Sequence, residues 1–183
     1  MDNERQRYKP SGRIFLPFFL PLSALVYFSA LVVGIVLSIL FFSGYYFVGV
    51  AAFVAGLLMA GLVFGAARFS RCRNPWAALF LGASAGLLVY VFHYYVCMVA
   101  EVGVFSPSLL PDYIAFRMEN DVLRDAVQSE DTVPTTPAGI EIAFNWFLLG
   151  VEALALMAIP AWTGWAAARR LSAPHDRHLS ETP

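Results

Sequence analysis

Between Arg13 and Arg68 the chain carries no charged residue. A single helix from Ile14 to Ala67 would be about 80 Å long, against a bilayer hydrocarbon core of about 30 Å. The run must therefore fold back as two spans. Ser43-Gly44, followed by Tyr45-Tyr46, is the turn-forming break near its middle. Span one is placed at about 20–42 and span two at about 46–67. Pro17 and Pro21 then fall ahead of span one or in its first turn, where a missing N–H matters least. The run also outlasts the apolar region of a cleavable signal, about 7–15 residues, so span one is read as retained.

The remainder follows the same logic. Hydrophobic residues make up 59% and charged residues 14% of the 183, where a soluble domain has about 45–50% and about 25%. Arg68, Arg71 and Arg73 with Asn74-Pro75 form a short basic loop, and span three runs from Trp76 to about Val99. A polar, acidic segment covers about 101–138, and span four covers about 139–167. Within the polar segment Pro111-Asp112 opens a helix to about Ser129, with apolar stripes Ile114, Met118, Val122 and Phe116, Leu123, Val127. Thr132 to Pro137 reads as an extended linker. The predicted fold is all-α: one four-span transmembrane bundle over 14–168, flanked by tails 1–13 and 169–183, with a partly helical segment between spans three and four.

Charge placement predicts the orientation. Lys and Arg concentrate on the cytoplasmic side. Of the 12 cations, only Arg117 and Arg124 lie outside the N-tail, the 68–73 loop and the C-tail. Four spans put those three segments on one side, so both termini are expected in the cytoplasm. Tyr45, Tyr46 and Trp146 then mark the outer interface, and Trp76, Trp162 and Trp165 the inner one. Cys72, in the basic loop, and Cys97, near the outer end of span three, lie about 37 Å apart along or beside one helix, so no disulfide is predicted.

Lipid tails are as apolar as leucine, so close packing and interhelical hydrogen bonds must hold the spans together. Small residues recur at four-residue spacing: Ala30, Gly34 and Ser38; Ala52, Gly56 and Ala60, then Gly61 and Gly65; Ala78, Gly82 and Gly86. They predict a compact bundle and leave a homo-oligomer open. Pro160 frees the carbonyl of Leu156 and kinks span four.

Ionisable groups within spans are functional candidates by default. Glu141, Asn145 and Glu152 share one stripe of span four, within about 40° of one another. Tyr90, His93, Tyr94, Cys97 and Glu101 form a stripe on span three. The antiparallel spans bring Tyr90 and His93 near the level of Glu152, which predicts an intramembrane polar cluster of Tyr90, His93, Glu101, Glu141, Asn145 and Glu152. It has two readings: a proton or cation path with Glu152 as the titrating acid and His93 as relay, or interhelical hydrogen bonding. Arg68, Arg71 and Arg73 are candidate contacts for anionic lipid headgroups, or simply the orientation signal. The segment 103–138 is a candidate surface for a protein partner.

No intramembrane Ser-Lys pair, paired aspartates, HExxH, CxxC or glycine-rich phosphate loop occurs, so a non-enzymatic role without a cofactor is expected. His175 and His178 have metal-like spacing but are only two ligands, so no metal is expected. A net charge of -1 argues against nucleic acid. Lys9-Pro10-Ser11-Gly12-Arg13 before span one, Arg73-Asn74-Pro75 before span three and Glu152 inside span four make a layout that resembles small bacterial inner-membrane proteins. That resemblance implies a multi-pass protein of the bacterial inner membrane and no activity. The expected function is a scaffold or accessory subunit; the alternative is a small transporter or proton-coupled component using the His/Glu cluster.

Overall fold

The computed structural model describes residues 14–44, 49–119 and 138–172, with side chains omitted at 118–119 and 138–142. Their regular structure is all helical, with no strand among them. In chain order the helices are α1 (Leu16–Phe42), α2 (Val50–Phe69), α3 (Pro75–Val102), α4 (Leu110–Glu119) and α5 (Ala138–Ser172); a 3₁₀ turn, Pro107–Leu109, leads into α4. Four of them, α1, α2, α3 and α5, are long and apolar enough to cross a membrane. The 1–13 tail, Tyr45, Tyr46, Arg124, the 132–137 linker and residues 173–183, with His175 and His178, lie outside the described residues, while 169–172 of the expected C-tail continue α5.

The helix ends have local causes. Pro17 stands in the first turn of α1, as its fixed φ favours, while Pro21 lies inside the helix, one turn further than the sequence reading placed it. Ser43 caps α1, and Gly44 follows at φ +73. α2 ends in a Schellman motif: the Cys72 N–H donates to the Ala67 carbonyl at 2.9 Å and the Arg71 N–H to Arg68 at 3.2 Å. α3 opens on Asn74, whose Oδ1 accepts from the N–H groups of Trp76 (3.0 Å) and Ala77 (3.2 Å), with Pro75 at the first helical position.

The helices do not pack in chain order. The main interfaces are α3 with α5, α2 with α5, and α1 with α3, with α1 against α2 a smaller one. The ring therefore runs α1, α3, α5, α2. Small residues set its tightest contacts. A Cβ on Gly86 would fall on the carbonyl oxygen of Leu156, the group that Pro160 leaves without its helical donor. A Cβ on Gly82 would meet the Pro160 carbonyl at 2.5 Å, and one on Gly56 the Ala155 carbonyl oxygen at 2.7 Å. Gly164 is pressed against the Ala78 carbonyl in the same way. Gly61 and Gly65 behave differently: neither has an atom within 4 Å of a built Cβ, so that half of the small-residue stripe of α2 makes no contact within the bundle.

Outside the ring the surface is apolar. Leu20, Phe28, Val50, Leu58 and Leu154 are each more than half exposed. Soluble proteins rarely expose contiguous apolar patches above a few hundred Å². Buried within are Ser38, His93, Asn145 and Glu152. Polar groups inside and apolar groups outside identify the surrounding medium as a lipid bilayer and the chain as a multi-pass membrane protein.

Candidate functional site

The two ends of the bundle carry opposite character. Arg68, Arg71, Arg73, Arg169 and Arg170 gather where α2 and α5 end; Glu101, Asp112 and Glu119 belong to the other, acidic end. Ser38, His93, Asn145 and Glu152 are buried in the half nearer the acidic end.

Glu152 is 3% exposed. Its Oε1 accepts from the Gly49 backbone N–H at 3.3 Å, and its Oε2 from the Tyr94 hydroxyl at 3.2 Å. Gly49 is the N-cap of α2 at φ +82, a conformation that suits glycine, and it offers no side chain to satisfy the orphan N–H groups that follow. The carboxyl of Glu152 takes that place from another helix, at the positive end of the α2 dipole. This is possible because α2 starts low. Glu152 lies about 21 Å along α5 from Ala138, and Tyr94 about 12 Å from the end of α3, so the N-terminus of α2 is recessed between its neighbours.

His93, 2% exposed, turns toward α1. Its Nδ1 is 3.0 Å from Ser38 Oγ, which also lies 2.9 Å from the Gly34 carbonyl and 3.0 Å from the His93 carbonyl. One hydroxyl hydrogen cannot serve every partner. The set is satisfied when Ser38 donates to a carbonyl and accepts from Nδ1–H. Imidazole and hydroxyl at this distance also suit a base and a nucleophile, but Ser38 is 1% exposed and its hydrogen is engaged by carbonyls. A second hydroxyl pair, Tyr27 with Ser84 at 2.7 Å, also joins α1 to α3.

The remaining predicted residues distribute around these. Tyr90 is buried, its ring 5.0 Å from that of Tyr94. Asn145 is 5% exposed on α5. Glu141 lies in the first turn of α5, and its side chain is outside the described residues. Glu101 lies apart from Glu152, at the end of α3, and pairs with Arg117 of α4 at 3.4 Å. The structure thus brings Glu152 and Tyr94 together, and His93 and Ser38 together, with Tyr94 between the two sets, its ring 5.0 Å from that of His93.

The described part of the α3–α5 connection covers the acidic end. Tyr113 is 6% exposed against Cys97 and Met98, and Arg117 stacks 4.6 Å over Phe41. Burial, then the charge of Glu101, holds the Tyr113 phenol above its ordinary value. The apolar stripes of α4 did not mark Tyr113 as the anchor, and Phe116 is 56% exposed. The Gly49 N–H is likewise a partner that side-chain periodicity does not pick out, and the sequence marks Ser38 only as a small packing residue, whereas the span-three stripe does include Tyr94.

Of the three loop arginines, Arg71 and Arg73 line an open cavity at the arginine-rich end, while Arg68 is exposed outside it. Among the described residues no group of three His, Cys, Asp or Glu side chains is placed to hold a metal. The chain matches no protein-family model, no curated protein and no solved structure.

Proposed function

We propose that this chain is a non-enzymatic scaffold or accessory subunit of the bacterial inner membrane, with both termini in the cytoplasm and the acidic end facing outward. One observation carries the reading: the intramembrane ionisable groups are bonded to groups on other helices. Glu152 joins α5 to α2 and α3, and His93 joins α3 to α1. Such bonds fix which helices neighbour one another. The surface left for a partner is the α3–α5 connection, where Phe105 is 80% and Phe116 56% exposed.

The proton-coupled alternative draws on Tyr94, which stands between His93 and Glu152. Glu152→Gln separates the two. Gln keeps an acceptor oxygen and loses the titrating proton, so a scaffold retains expression, assembly and stability within about 1 kcal/mol. A proton path loses flux in proteoliposomes at unaltered expression. No flux in wild type, with assembly kept after the substitution, supports the scaffold; flux present in wild type and abolished by the substitution overturns it. A partner released by Phe105→Ser with Phe116→Ser, at unchanged thermal midpoint, assigns the docking surface.

A further inference from the structure

The cavity at the arginine-rich end has a volume of about 790 Å³ and lies between the start of α1 and the end of α2. Its walls are of two kinds. Phe15, Phe18 and Phe69 supply an aromatic side, with Phe15 and Phe18 stacked at 5.4 Å and all three more than half exposed. Arg71 and Arg73 supply the polar rim. Among the described residues neither guanidinium has a carboxylate within ion-pair distance, and the carboxylates nearest this end of the chain's described helices are all in the opposite half.

Both arginines are fixed by backbone. Arg73 meets α5 at the Ser172 hydroxyl, whose oxygen lies 2.8 Å from the Arg73 carbonyl and 2.8 Å from the Ala168 carbonyl, so the two carbonyls share one donor. Arg71 occupies the C′ position of the Schellman motif at φ +49, and among the described residues it is the one non-glycine with positive φ. Glycine is the usual residue there, because a side chain crowds the backbone in the left-handed region. The arrangement places a guanidinium at the rim against that local preference.

We infer that this cavity is a binding site for one anionic phospholipid, with its phosphate between Arg71 and Arg73 and the upper part of an acyl chain along Phe15, Phe18 and Phe69. The chemistry fits on each side. Guanidinium groups bind phosphate oxygens in pairs of parallel hydrogen bonds. The aromatic wall continues into the lipid-facing surface of α1, so a molecule seated there keeps its tail in the bilayer. A zwitterionic lipid brings its own cation to two arginines that have no carboxylate partner among the described residues, and is disfavoured. Arg68, in the last turn of α2 and outside the cavity, provides the internal control.

The test uses the purified, delipidated full chain and native mass spectrometry, with phosphatidylglycerol or phosphatidylcholine added at equal concentration. Phosphatidylglycerol is expected to remain bound in preference, and Arg71→Gln with Arg73→Gln to weaken it about thirtyfold, the factor two interfacial cations contribute. Arg68→Gln, outside the cavity, is expected to weaken it by less than the roughly fivefold that one headgroup-contacting cation contributes. Arg71→Gly is expected to lose lipid while its thermal midpoint stays level or rises, which separates lost binding from lost folding. Equal weakening by Arg68→Gln overturns the site in favour of a diffuse basic field. Equal retention of phosphatidylcholine, or displacement by millimolar inorganic phosphate, overturns the lipid as its occupant.

Discussion

Cys72 lies in the tight connection between α2 and α3, fully buried, its thiol donating to the Asn74 carbonyl at 3.5 Å. Burial pushes this thiol above its ordinary value. The sign of the pH effect follows. From about pH 8.5 an unfolded thiol ionises while the folded one keeps its proton, so the unfolded state binds fewer protons and stability falls as pH rises. The stabilisation is fully present below that pH. Cys72→Ala should therefore show a shallower fall in thermal midpoint than wild type between about pH 8 and 10. Parallel curves would mean that burial does not perturb the thiol. The sequence placed Cys72 in a loop, which suggests access; its burial comes from Ala78, Ala167 and Ala168, long-range neighbours that loop position does not reveal. Glu152 shows the same limit. Its stripe on α5 is readable at 100° per residue, but one of its partners is a backbone N–H of α2, and no side-chain pattern points to a backbone donor.

At the scale of elements, spans were the legible part. A charge-free run, a basic loop and a second pair of apolar segments suffice for four long helices, because charge and length are local properties. Neighbours were less legible. Four-residue spacing marks a face on each helix and does not say which helix meets it. Gly86 and Gly61 illustrate this: both sit in small-residue stripes, yet one meets a carbonyl and the other nothing. They should respond with opposite signs. Gly86→Ala places a methyl on the Leu156 oxygen and is expected to destabilise by about 1–3 kcal/mol, the usual range for overpacking. Gly61→Ala removes backbone freedom at an open position and is expected to be neutral or stabilising by up to about 1 kcal/mol. Unfolding titrations from mild detergent into dodecyl sulfate, followed by tryptophan fluorescence, measure both. A loss at Gly61 equal to that at Gly86 would mean that Gly61 packs against something, and a second copy of the chain would be the first candidate.

For the whole molecule the deciding quantity is which end faces the cytoplasm. Charge asymmetry argues it: arginines cluster at one end, while the described part of the other holds Glu101, Asp112 and Glu119 with Arg117 engaged in a pair. The native cysteines cannot report it, because Cys72 and Cys97 are both buried and free. Replacing both with alanine and introducing single cysteines at Phe105 and Arg170 does, since Phe105 is 80% exposed, Arg170 is exposed, and among the described residues α5 is the one span-length helix between them. A charged, membrane-impermeant maleimide applied to intact cells should label Phe105→Cys and should label Arg170→Cys only after permeabilisation. The reverse pattern would invert the protein and put the arginine cavity outside. Labelling of both in intact cells would mean that α5 does not cross, since one crossing must separate them. The expected pattern fixes the side of the lipid site as well: Arg71 and Arg73 would then meet the cytoplasmic leaflet, where anionic headgroups and the positive-inside bias of the chain act in the same direction.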